Sequence, residues 1–431
     1  MTKRMLLAVL LLIVFALPAG CQKQGGEPTQ PTAPAPTILP TPTPEPSPTP
    51  TPDPVGEALA GMTVEQKAAQ LLVAGIEGTE PGEDAVQAVQ GYQVGGVILF
   101  GRNVESAEQL AALTNGLKEL NGDYTPLFLC VDQEGGRVDR MPPEVSRTPS
   151  AWSVGQTLDT EGVGVSYGEL LAAECAAFGF NMDFAPSLDI WSNPDNTVIG
   201  DRAFGNDWEW TAFFGMSAVE GMEKQGTVIP VVKHFPGHGD TAVDSHTALP
   251  VVDKTLEDLW QSELVPFDMV LSGQFWGEPV MEPTPAVMVA HILLSQIDPD
   301  NPASLSPEVV TGLLREEMGY EGVVCTDDLT MGAISNTYGM GEAAVLAVEA
   351  GCDLLLVCHG ADNLAEAHAA LVEAVDSGRI PEERLDESVY RVLSLKAVYG
   401  LSNAPVEAPD IEALNDRIAA LERSIEADTS Q

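Results

Sequence analysis

Residues 228–235, "VIPVVKHF", decide the fold prediction. An apolar run of this length, without alternating polar positions, is typical of a parallel strand that is buried on both faces. The run ends near Lys233 and His234, and a glycine-rich turn, "PGHGD", follows it. Because a buried charge is costly unless it is paired, this strand end predicts a polar site rather than simple packing.

The chain repeats this pattern of an apolar run followed by a longer segment with helical spacing. Similar runs occupy 70–76, 94–100, 126–132, 181–186, 286–291, 322–328 and 354–359, and helical spacing occurs at 105–121, 162–179, 207–225, 306–318 and 361–376. A capping box at Thr63 and Gln66 predicts a helix start. Eight strands that alternate with helices predict a (β/α)8 barrel of the TIM type. A doubly wound open sheet is the alternative, but no nucleotide-binding glycine fingerprint follows the first run.

Composition limits the partners of the protein. The chain has 64 acidic and 20 basic side chains, which give a net charge of -44. Nucleic acid and anionic lipid surfaces are excluded as partners, because phosphate binding needs lysine and arginine. Beyond Cys21, the cysteines are odd in number and mostly lie in apolar runs, which favours buried free thiols over disulfides or a metal site. They are Cys130, Cys175, Cys325, Cys352 and Cys358.

The first 54 residues predict export and a tether. Lys3 and Arg4 precede an apolar run that is too short to span a membrane, and "LPAGC" then resembles a lipoprotein cleavage site. We therefore expect residues 1–21 to be a signal peptide, with Cys21 lipidated and the protein held at the outer face of the membrane; simple secretion is the alternative. Residues 22–54 are a Pro/Thr-rich spacer. The catalytic barrel is expected at 55–402 and an acidic tail with a surface helix at 403–431, with no C-terminal second domain.

Polar residues cluster at the carboxyl ends of the predicted strands, which is where barrel enzymes place their chemistry. These residues are Asp132, Asp183, Lys233, His234, His291, Asp327, Asp328 and His359. Many buried polar side chains at one edge are difficult to explain by packing, because each must be satisfied. The pattern therefore predicts an enzyme.

Several motifs allow two interpretations each. In "CVDQEGGRVDR" (130–140), Asp132 and Arg140 can bind sugar hydroxyls, or Asp132 can merely cap a turn made by Gly135 and Gly136. Arg202 can bind a polar substrate or form a structural ion pair with Asp183 or Asp201.

The two aspartates of "TDD" (326–328) offer a nucleophile and a loop support. In "KHFPGHGDTAVDSH" (233–246), three histidines suggest either proton transfer or a zinc site made by His234, His238 and His246.

The segments "VDQEGGRV", "KHFPGHGDT", "DSH" and "TDDLTM" resemble, in this order, glycoside hydrolase family three, and in particular its bacterial β-N-acetylglucosaminidase branch. The resemblance extends from about residue 57 to 402. It implies a (β/α)8 catalytic barrel, retention of anomeric configuration, an aspartate nucleophile, and a histidine–aspartate acid/base pair on a mobile loop.

Carried over to this sequence, the resemblance implies Asp327 as the nucleophile, His246 as the acid/base and Asp244 as its partner. His238 is expected to be structural, and no metal or cofactor is expected. The implied substrate-binding residues are Asp132, Arg140, Arg202, Lys233 and His234. Residues 272–285 are longer than the usual connection, and we expect them at the opposite face of the barrel.

The expected activity is removal of non-reducing terminal N-acetylglucosamine (GlcNAc) from cell-wall fragments or chitooligosaccharides by a monomeric enzyme. A histidine acid/base removes a negative charge, so transfer to phosphate instead of water is an alternative. A β-glucosidase is another alternative, although such relatives typically use a glutamate from a second domain. A sugar-binding lipoprotein is the non-enzyme alternative, but it would not need Asp327 or the Asp244–His246 pair.

Overall fold

The computed structural model describes residues 53–159, 162–241, 245, 249–275 and 277–430. The stretch Asp53–Gln431 forms one compact unit. The predicted signal peptide and most of the predicted spacer, up to residue 52, lie outside the described residues. Among the described helices, none is long and apolar enough to cross a membrane.

Eight parallel strands form a closed barrel, which confirms the predicted fold. They are β1 (Leu72–Gly75), β2 (Gly96–Ile98), β3 (Phe128–Val131), β4 (Met182–Asp183), β5 (Ile229–Phe235), β6 (Ala286–Val289), β7 (Val323–Asp328) and β8 (Leu354–Val357). Each strand pairs with its neighbours in sequence, and β1 also pairs with β8, with Leu72 opposite Leu355. The closure excludes the open sheet, because in an open sheet β1 and β8 would not pair with each other.

Alternating side chains explain why the strands read as continuous apolar runs. In β1, Val73 points into the barrel with Ile98, Phe128 and Ile229, whereas its neighbour Leu72 packs in the layer between strands and helices. Both faces of each strand are therefore buried. Cys130 and Cys325 also lie inside the barrel, and all five described cysteines are buried and free, as predicted.

The outer layer is helical. The α-helices are Pro54–Ala60, Val64–Gln70, Glu83–Val86, Ala107–Asn121, Ala151–Gly155, Val163–Ala177, Trp208–Glu223, Leu256–Leu259, Leu264–Ser272, Gly332–Ser335, Met340–Ala350, Ala361–Asp376, Glu382–Val398 and Ile411–Thr429. Gln87–Tyr92 and Glu308–Glu317 are π-helical, and Gly101–Asn103, Gly200–Arg202 and Ala303–Leu305 are 3₁₀ turns. The capping box at Thr63 and Gln66 is present.

Both ends of the described chain pack onto the barrel. Asp53 caps the first helix by accepting a hydrogen bond from the Gly56 N–H at 2.9 Å. The predicted C-terminal helix buries Leu414, Ile418 and Leu421, and it contacts helix Val163–Ala177. The folded unit therefore includes residues that the sequence placed in the spacer and in the tail.

Residues 272–285 form a short antiparallel ladder of Gln274–Phe275 with Glu278–Pro279, and Trp276 lies outside the described residues. The segment leads into the amino-terminal end of β6, where the carbonyl of Pro285 accepts a hydrogen bond from Val323 N–H at 3.0 Å. It therefore lies at the face opposite the carboxyl ends of the strands, as expected.

Candidate active site

A cavity of about 460 Å³ opens at the carboxyl ends of the strands. Its lining includes six of the predicted site residues, namely Asp132, Arg140, Arg202, Lys233, His234 and Asp327. Asp244 and His246 lie outside the described residues. Ser245, which stands between them in the chain, lines the cavity.

Lys233 is the centre of a buried ion network. Its Nζ lies 2.6 Å from Asp132 Oδ1 and 2.6 Å from Glu134 Oε1. Burial alone would lower the pKa of Lys233, but the two carboxylates outweigh burial and raise it. The ammonium therefore stays charged, and it has a third N–H to offer because two carboxylates use only two. Asp132 Oδ2 has no hydrogen-bond partner among the described residues.

Glu134 joins Lys233 to Arg202. Arg202 donates from Nε and Nη2 to the two carboxylate oxygens of Glu134, at 2.8 Å each. Burial opposes ionisation of Glu134, but the two cations outweigh it and hold the pKa of Glu134 well below its usual range. The alternative prediction, that Arg202 pairs with Asp183 or with Asp201, is wrong. Asp201 pairs with Arg137 at 3.0 Å, and Asp183 accepts a backbone hydrogen bond in the interior.

His234 is held in a single orientation by its two ring nitrogens. Nδ1 lies 2.6 Å from Asp189 Oδ2, and Nε2 lies 3.1 Å from Arg202 Nη2. A guanidinium can only donate, so Nε2 faces a donor and Nδ1 donates to Asp189. Burial would raise the pKa of Asp189, but interactions with His234 and His238 outweigh it and lower the pKa.

The two adjacent aspartates at the end of β7 have different surroundings. Asp328 is fully engaged: Oδ1 accepts from the N–H groups of Thr330 (2.9 Å) and Cys358 (3.1 Å), and Oδ2 accepts from Thr330 Oγ1 at 2.6 Å. Among the described residues, Asp327 accepts a single hydrogen bond, from Asp328 N–H to Oδ1 at 2.8 Å. Its Oδ2 has no partner within the described ranges, so Asp327 is the aspartate with an oxygen available for reaction.

Several neighbouring groups act on the pKa of Asp327. Burial would raise its pKa, but interactions with His291, His234, the Asp328 N–H and Lys233 outweigh burial and lower it. The carboxylate is therefore ionised at neutral pH, as a nucleophile must be.

His238 has a supporting place beside the cavity. Its Nδ1 lies 2.9 Å from Thr241 Oγ1 and its Nε2 lies 3.2 Å from Ser245 Oγ. Burial lowers the pKa of His238, so it is a neutral hydrogen-bonding group. In His234 and His238 alike, both ring nitrogens already have protein partners, which disfavours the zinc interpretation.

Arg140 lines the cavity with an incompletely used guanidinium. Nη1 donates to the carbonyl of Asp139 at 3.3 Å, whereas Nε is buried and has no partner among the described residues. The backbone N–H of Arg140 donates to Gln133 Oε1 at 2.8 Å, so the loop that carries the arginine is fixed. Gly135 and Gly136, with φ of 70° and 54°, make the intervening turn, as predicted.

Two polar residues at strand ends do not line the cavity. Asp183 is fully buried and accepts a hydrogen bond from Gln133 N–H at 2.8 Å. His291 is also buried, and its ring lies between Ser304 Oγ (2.7 Å) and the carbonyl of Asp328 (2.9 Å). Both support loops of the mouth from behind.

Glu134 and Asp189 are site residues that the sequence analysis missed. Glu134 lies within the quoted motif "VDQEGG", two residues after Asp132. The available signal was a second carboxylate near a strand end, which could pair with the predicted buried Lys233. Asp189 gave no such signal, because it follows the very short strand β4 in an irregular loop.

A barrel whose mouth combines an ionised aspartate with a network of charged, hydrogen-bonding side chains has the groups that a glycoside hydrolase needs. The family model described as "Glycosyl hydrolase family 3 N terminal domain" matches residues 63–395, and the chain belongs to this family.

Relatives and solved structures agree. "Beta-hexosaminidase A" of Pseudoalteromonas piscicida is 33% identical over 341 residues, which cover 74% of this chain and 56% of that protein. The chain thus spans little more than half of that relative. "Beta-hexosaminidase" of Nitrosomonas eutropha is 33% identical over 330 residues, which cover 75% of this chain and 91% of that protein. A family 3 β-N-acetylglucosaminidase from Paenibacillus sp. str. FPU-7 has 42% identity and a TM-score of 0.78, over 84% of this chain and 68% of that one.

Proposed function

We propose that the protein is a retaining exo-β-N-acetylglucosaminidase that removes terminal GlcNAc from cell-wall fragments or chitooligosaccharides. The observation that carries the proposal is Asp327, an ionised carboxylate that lines the same cavity as Lys233 and Asp132 and whose Oδ2 has no partner among the described residues. Relatives named as β-hexosaminidases support the choice of sugar.

In the proposed reaction, Asp327 Oδ2 attacks the anomeric carbon while the glycosidic oxygen leaves with a proton. The third N–H of Lys233 and the free Oδ2 of Asp132 are a donor and an acceptor for neighbouring hydroxyls of the sugar ring. Their mutual ion pair fixes both groups before the sugar arrives, so little ordering entropy is lost on binding.

The proton donor in this proposal is His246, paired with Asp244. An imidazole titrates near neutral pH, so it can give a proton to the leaving oxygen and then take one from water. Asp244 would hold the tautomer and raise the basicity of the ring. Water, or phosphate in the alternative reaction, then releases the sugar from Asp327 with the original configuration.

Hydrolysis of 4-nitrophenyl β-N-acetylglucosaminide tests the proposal. We expect the wild type to release nitrophenol and Asp327→Ala to lose about 10⁴-fold or more in turnover, as nucleophile removal does in hydrolases. Azide should partly restore turnover of Asp327→Ala and give the α-glycosyl azide, because a small anion replaces the carboxylate. A variant with undiminished turnover would exclude Asp327 as the nucleophile.

The same assay separates the alternatives. GlcNAc as the product in phosphate buffer indicates hydrolysis, whereas GlcNAc 1-phosphate indicates phosphorolysis. A higher kcat/KM on the corresponding glucoside would favour a β-glucosidase. An inert wild type on both glycosides would leave the sugar-binding lipoprotein as the better interpretation.

We propose that the enzyme is monomeric and lipid-anchored outside the cell through Cys21. The support is the sequence "LPAGC" after an apolar run and before a Pro/Thr-rich spacer. Expression of the full chain with a labelled fatty acid should label the wild type and not Cys21→Ala. Light scattering of the purified protein tests the monomer.

A further inference from the structure

One side of the cavity carries side chains that the proposed reaction does not use. Phe100 and Arg102 follow β2, and His359 follows β8; all three line the same cavity as Asp327. Strands β8, β1 and β2 are adjacent, and β1 lies four strands from β5 in either direction around the barrel. This side therefore faces Lys233 and His234 across the mouth.

The three side chains form one packed cluster. The rings of Phe100 and His359 are stacked, with centroids 5.8 Å apart and planes inclined by 24°. The guanidinium carbon of Arg102 lies 4.6 Å from the centre of the Phe100 ring. Arg102 is fixed in turn, because Nη2 donates to the carbonyl of Cys358 at 2.9 Å and Nε to that of Ile76 at 3.3 Å. Phe100 is thus a supported ring and not a loose one.

His359 gives this cluster an open surface beside the nucleophile. Its side chain is 54% exposed, and its Nε2 lies 3.8 Å from Oδ2 of Asp328, the neighbour of Asp327. A flat ring, half exposed and backed by a second aromatic ring, offers an apolar face toward the cavity. Sugar rings present a face of C–H groups that packs on such surfaces, in a pocket where a few polar groups fix the orientation.

Local charges favour a neutral ligand on this surface. The positive charge of Arg102 is met by Glu77, with Nε and Oε2 3.3 Å apart, and Asp328 lies beside His359. Among the described residues of this cluster, the charge of Arg102 is therefore already balanced, so Arg102 offers no free cation to an anionic group.

We infer that Phe100 and His359 form the binding surface for the leaving sugar, a neutral pyranose whose C–H face packs on the His359 ring while Asp327 attacks the terminal GlcNAc. This assignment rests on the proposed function and adds the place where the second sugar is held. Arg102 acts through Phe100 as a positioning residue, because its guanidinium packs on that ring.

Two substrates with the same terminal sugar test the assignment. N,N′-diacetylchitobiose has a sugar as its leaving group, whereas β-N-acetylglucosaminyl fluoride has none. The measured quantity is the ratio of kcat/KM for the disaccharide to kcat/KM for the fluoride. We expect Phe100→Ala and His359→Ala to lower this ratio about tenfold each, which is the order expected when an aromatic contact is lost.

The pair Tyr92 and His368 provides a matched control. It is also an aromatic ring against an imidazole, with centroids 4.9 Å apart, but it lies outside the cavity lining, where His368 Nε2 is 2.9 Å from the Glu65 carbonyl. We expect His368→Ala to leave both kcat/KM values, and therefore their ratio, unchanged. Phe100→Leu, which keeps an apolar side chain but removes the aromatic ring, should lower the ratio as Phe100→Ala does, and it serves if the alanine variant does not fold.

An unchanged ratio in the His359 and Phe100 variants would overturn the assignment. Equal losses on both substrates, which also leave the ratio unchanged, would instead place the two residues in donor-sugar binding or in folding. If the wild type cleaves neither substrate, the proposed function itself fails, and that outcome is distinguishable because it needs no variant.

Discussion

Two buried lysines, Lys233 and Lys396, occupy opposite ends of the same barrel and have opposite surroundings. Lys233 lies between two carboxylates at 2.6 Å each. Lys396, from helix Glu382–Val398, donates to the neutral oxygens of Gln70 (2.9 Å) and Gly95 (2.8 Å), and its Nζ lies 4.7 Å from the centre of the Phe128 ring. The exposures are similar, 1% and 4%, so burial does not distinguish them.

The surroundings set the charge of each lysine. Carboxylates raise the pKa of Lys233 against the effect of burial, whereas burial without a partner charge lowers the pKa of Lys396 to about 7. At the carboxyl ends of the strands the barrel thus keeps an ion network ready for a polar substrate. At the amino ends the amine of Lys396, with its lowered pKa, donates to two carbonyl groups and closes the core. This division agrees with the general separation of catalytic and stabilising faces in such barrels.

Replacing each lysine by methionine should break the comparison most strongly. Lys233→Met leaves the buried Glu134 and the partly buried Asp132 without their shared cation. This costs about 3–5 kcal/mol of unfolding free energy and should lower kcat/KM on 4-nitrophenyl β-N-acetylglucosaminide about 10³-fold. Lys396→Met lies at the other end of the barrel and should keep kcat/KM within about threefold. Circular dichroism checks that both variants fold. Comparable losses of kcat/KM in two folded variants would contradict the functional difference between the two ends.

Glu134→Gln sharpens the account of the active end. The amide keeps the shape but removes the anion shared by Lys233 and Arg202, so we expect about a 100-fold loss in kcat/KM, the order for a charged hydrogen-bonding partner. Asp201→Asn is the matched control. This variant removes the carboxylate of the exposed ion pair between Asp201 and Arg137, and Arg137 is close to Glu134 in the sequence. Exposed ion pairs contribute little to stability. A loss as large in the control would show that any charge change near the mouth disturbs the site.

The charge of Lys396 can be read from stability. Its folded-state pKa of about 7 lies below the ordinary value of 10.5, so between these values the unfolded chain holds a proton that the folded chain lacks. Its contribution is therefore fully present above the unfolded pKa and is lost as pH falls toward the folded pKa. Relative to Lys396→Met, the free energy of unfolding of the wild type should increase on the order of 2 kcal/mol between about pH 7 and pH 9.

Urea unfolding of both proteins at several pH values measures this effect. The five buried thiols have their own pH dependence, so only the difference between wild type and variant is informative. A constant difference would mean that Lys396 keeps its proton in the folded state.

The fold was predictable because the eight apolar runs carry their own information. Continuous burial on both faces specifies a parallel strand, and the polar residue at the end of a run marks the carboxyl edge. The limits were the strand ends themselves: "NMDFAP" contributes only Met182–Asp183 as strand, and the following irregular loop brings Asp189 to His234. Irregular loops have no periodicity from which such a contact can be predicted.

The site was predictable where a polar residue directly ends an apolar run, as Asp132, Lys233 and Asp327 do. The ion pair of Lys233 with Asp132, which reaches across β4, was not predicted. Several carboxylates were candidate partners of Arg202. The sequence therefore suggested an ion pair with Asp183 or Asp201 and missed Glu134. Which carboxylate pairs with Arg202 depends on the direction of the turn made by Gly135 and Gly136. This direction is a property of the folded backbone.

A third buried titratable group, Glu174, lies behind the active end and has the opposite pH dependence to Lys396. Glu174 accepts from Thr148 Oγ1 at 2.6 Å and from Gln133 Nε2 at 2.9 Å, and through Gln133 it supports the loop of Arg140. Burial raises the pKa of Glu174 to about 8. Between the ordinary value of 4.5 and this value, the folded chain holds a proton that the unfolded chain releases, so this contribution to stability is lost as pH rises.

Glu174→Gln keeps the shape of the neutral acid, and its amide can donate to Thr148 Oγ1 while its carbonyl accepts from Gln133. The variant should therefore resemble the wild type near pH 5 and be more stable by about 2–3 kcal/mol near pH 7, because it has no proton to lose. Urea unfolding at the two pH values measures it, and kcat/KM should stay within about threefold because the loop keeps its support. A variant that is less stable at both pH values would show that Glu174 is ionised in the folded protein and that its charge, rather than its shape, holds the loop.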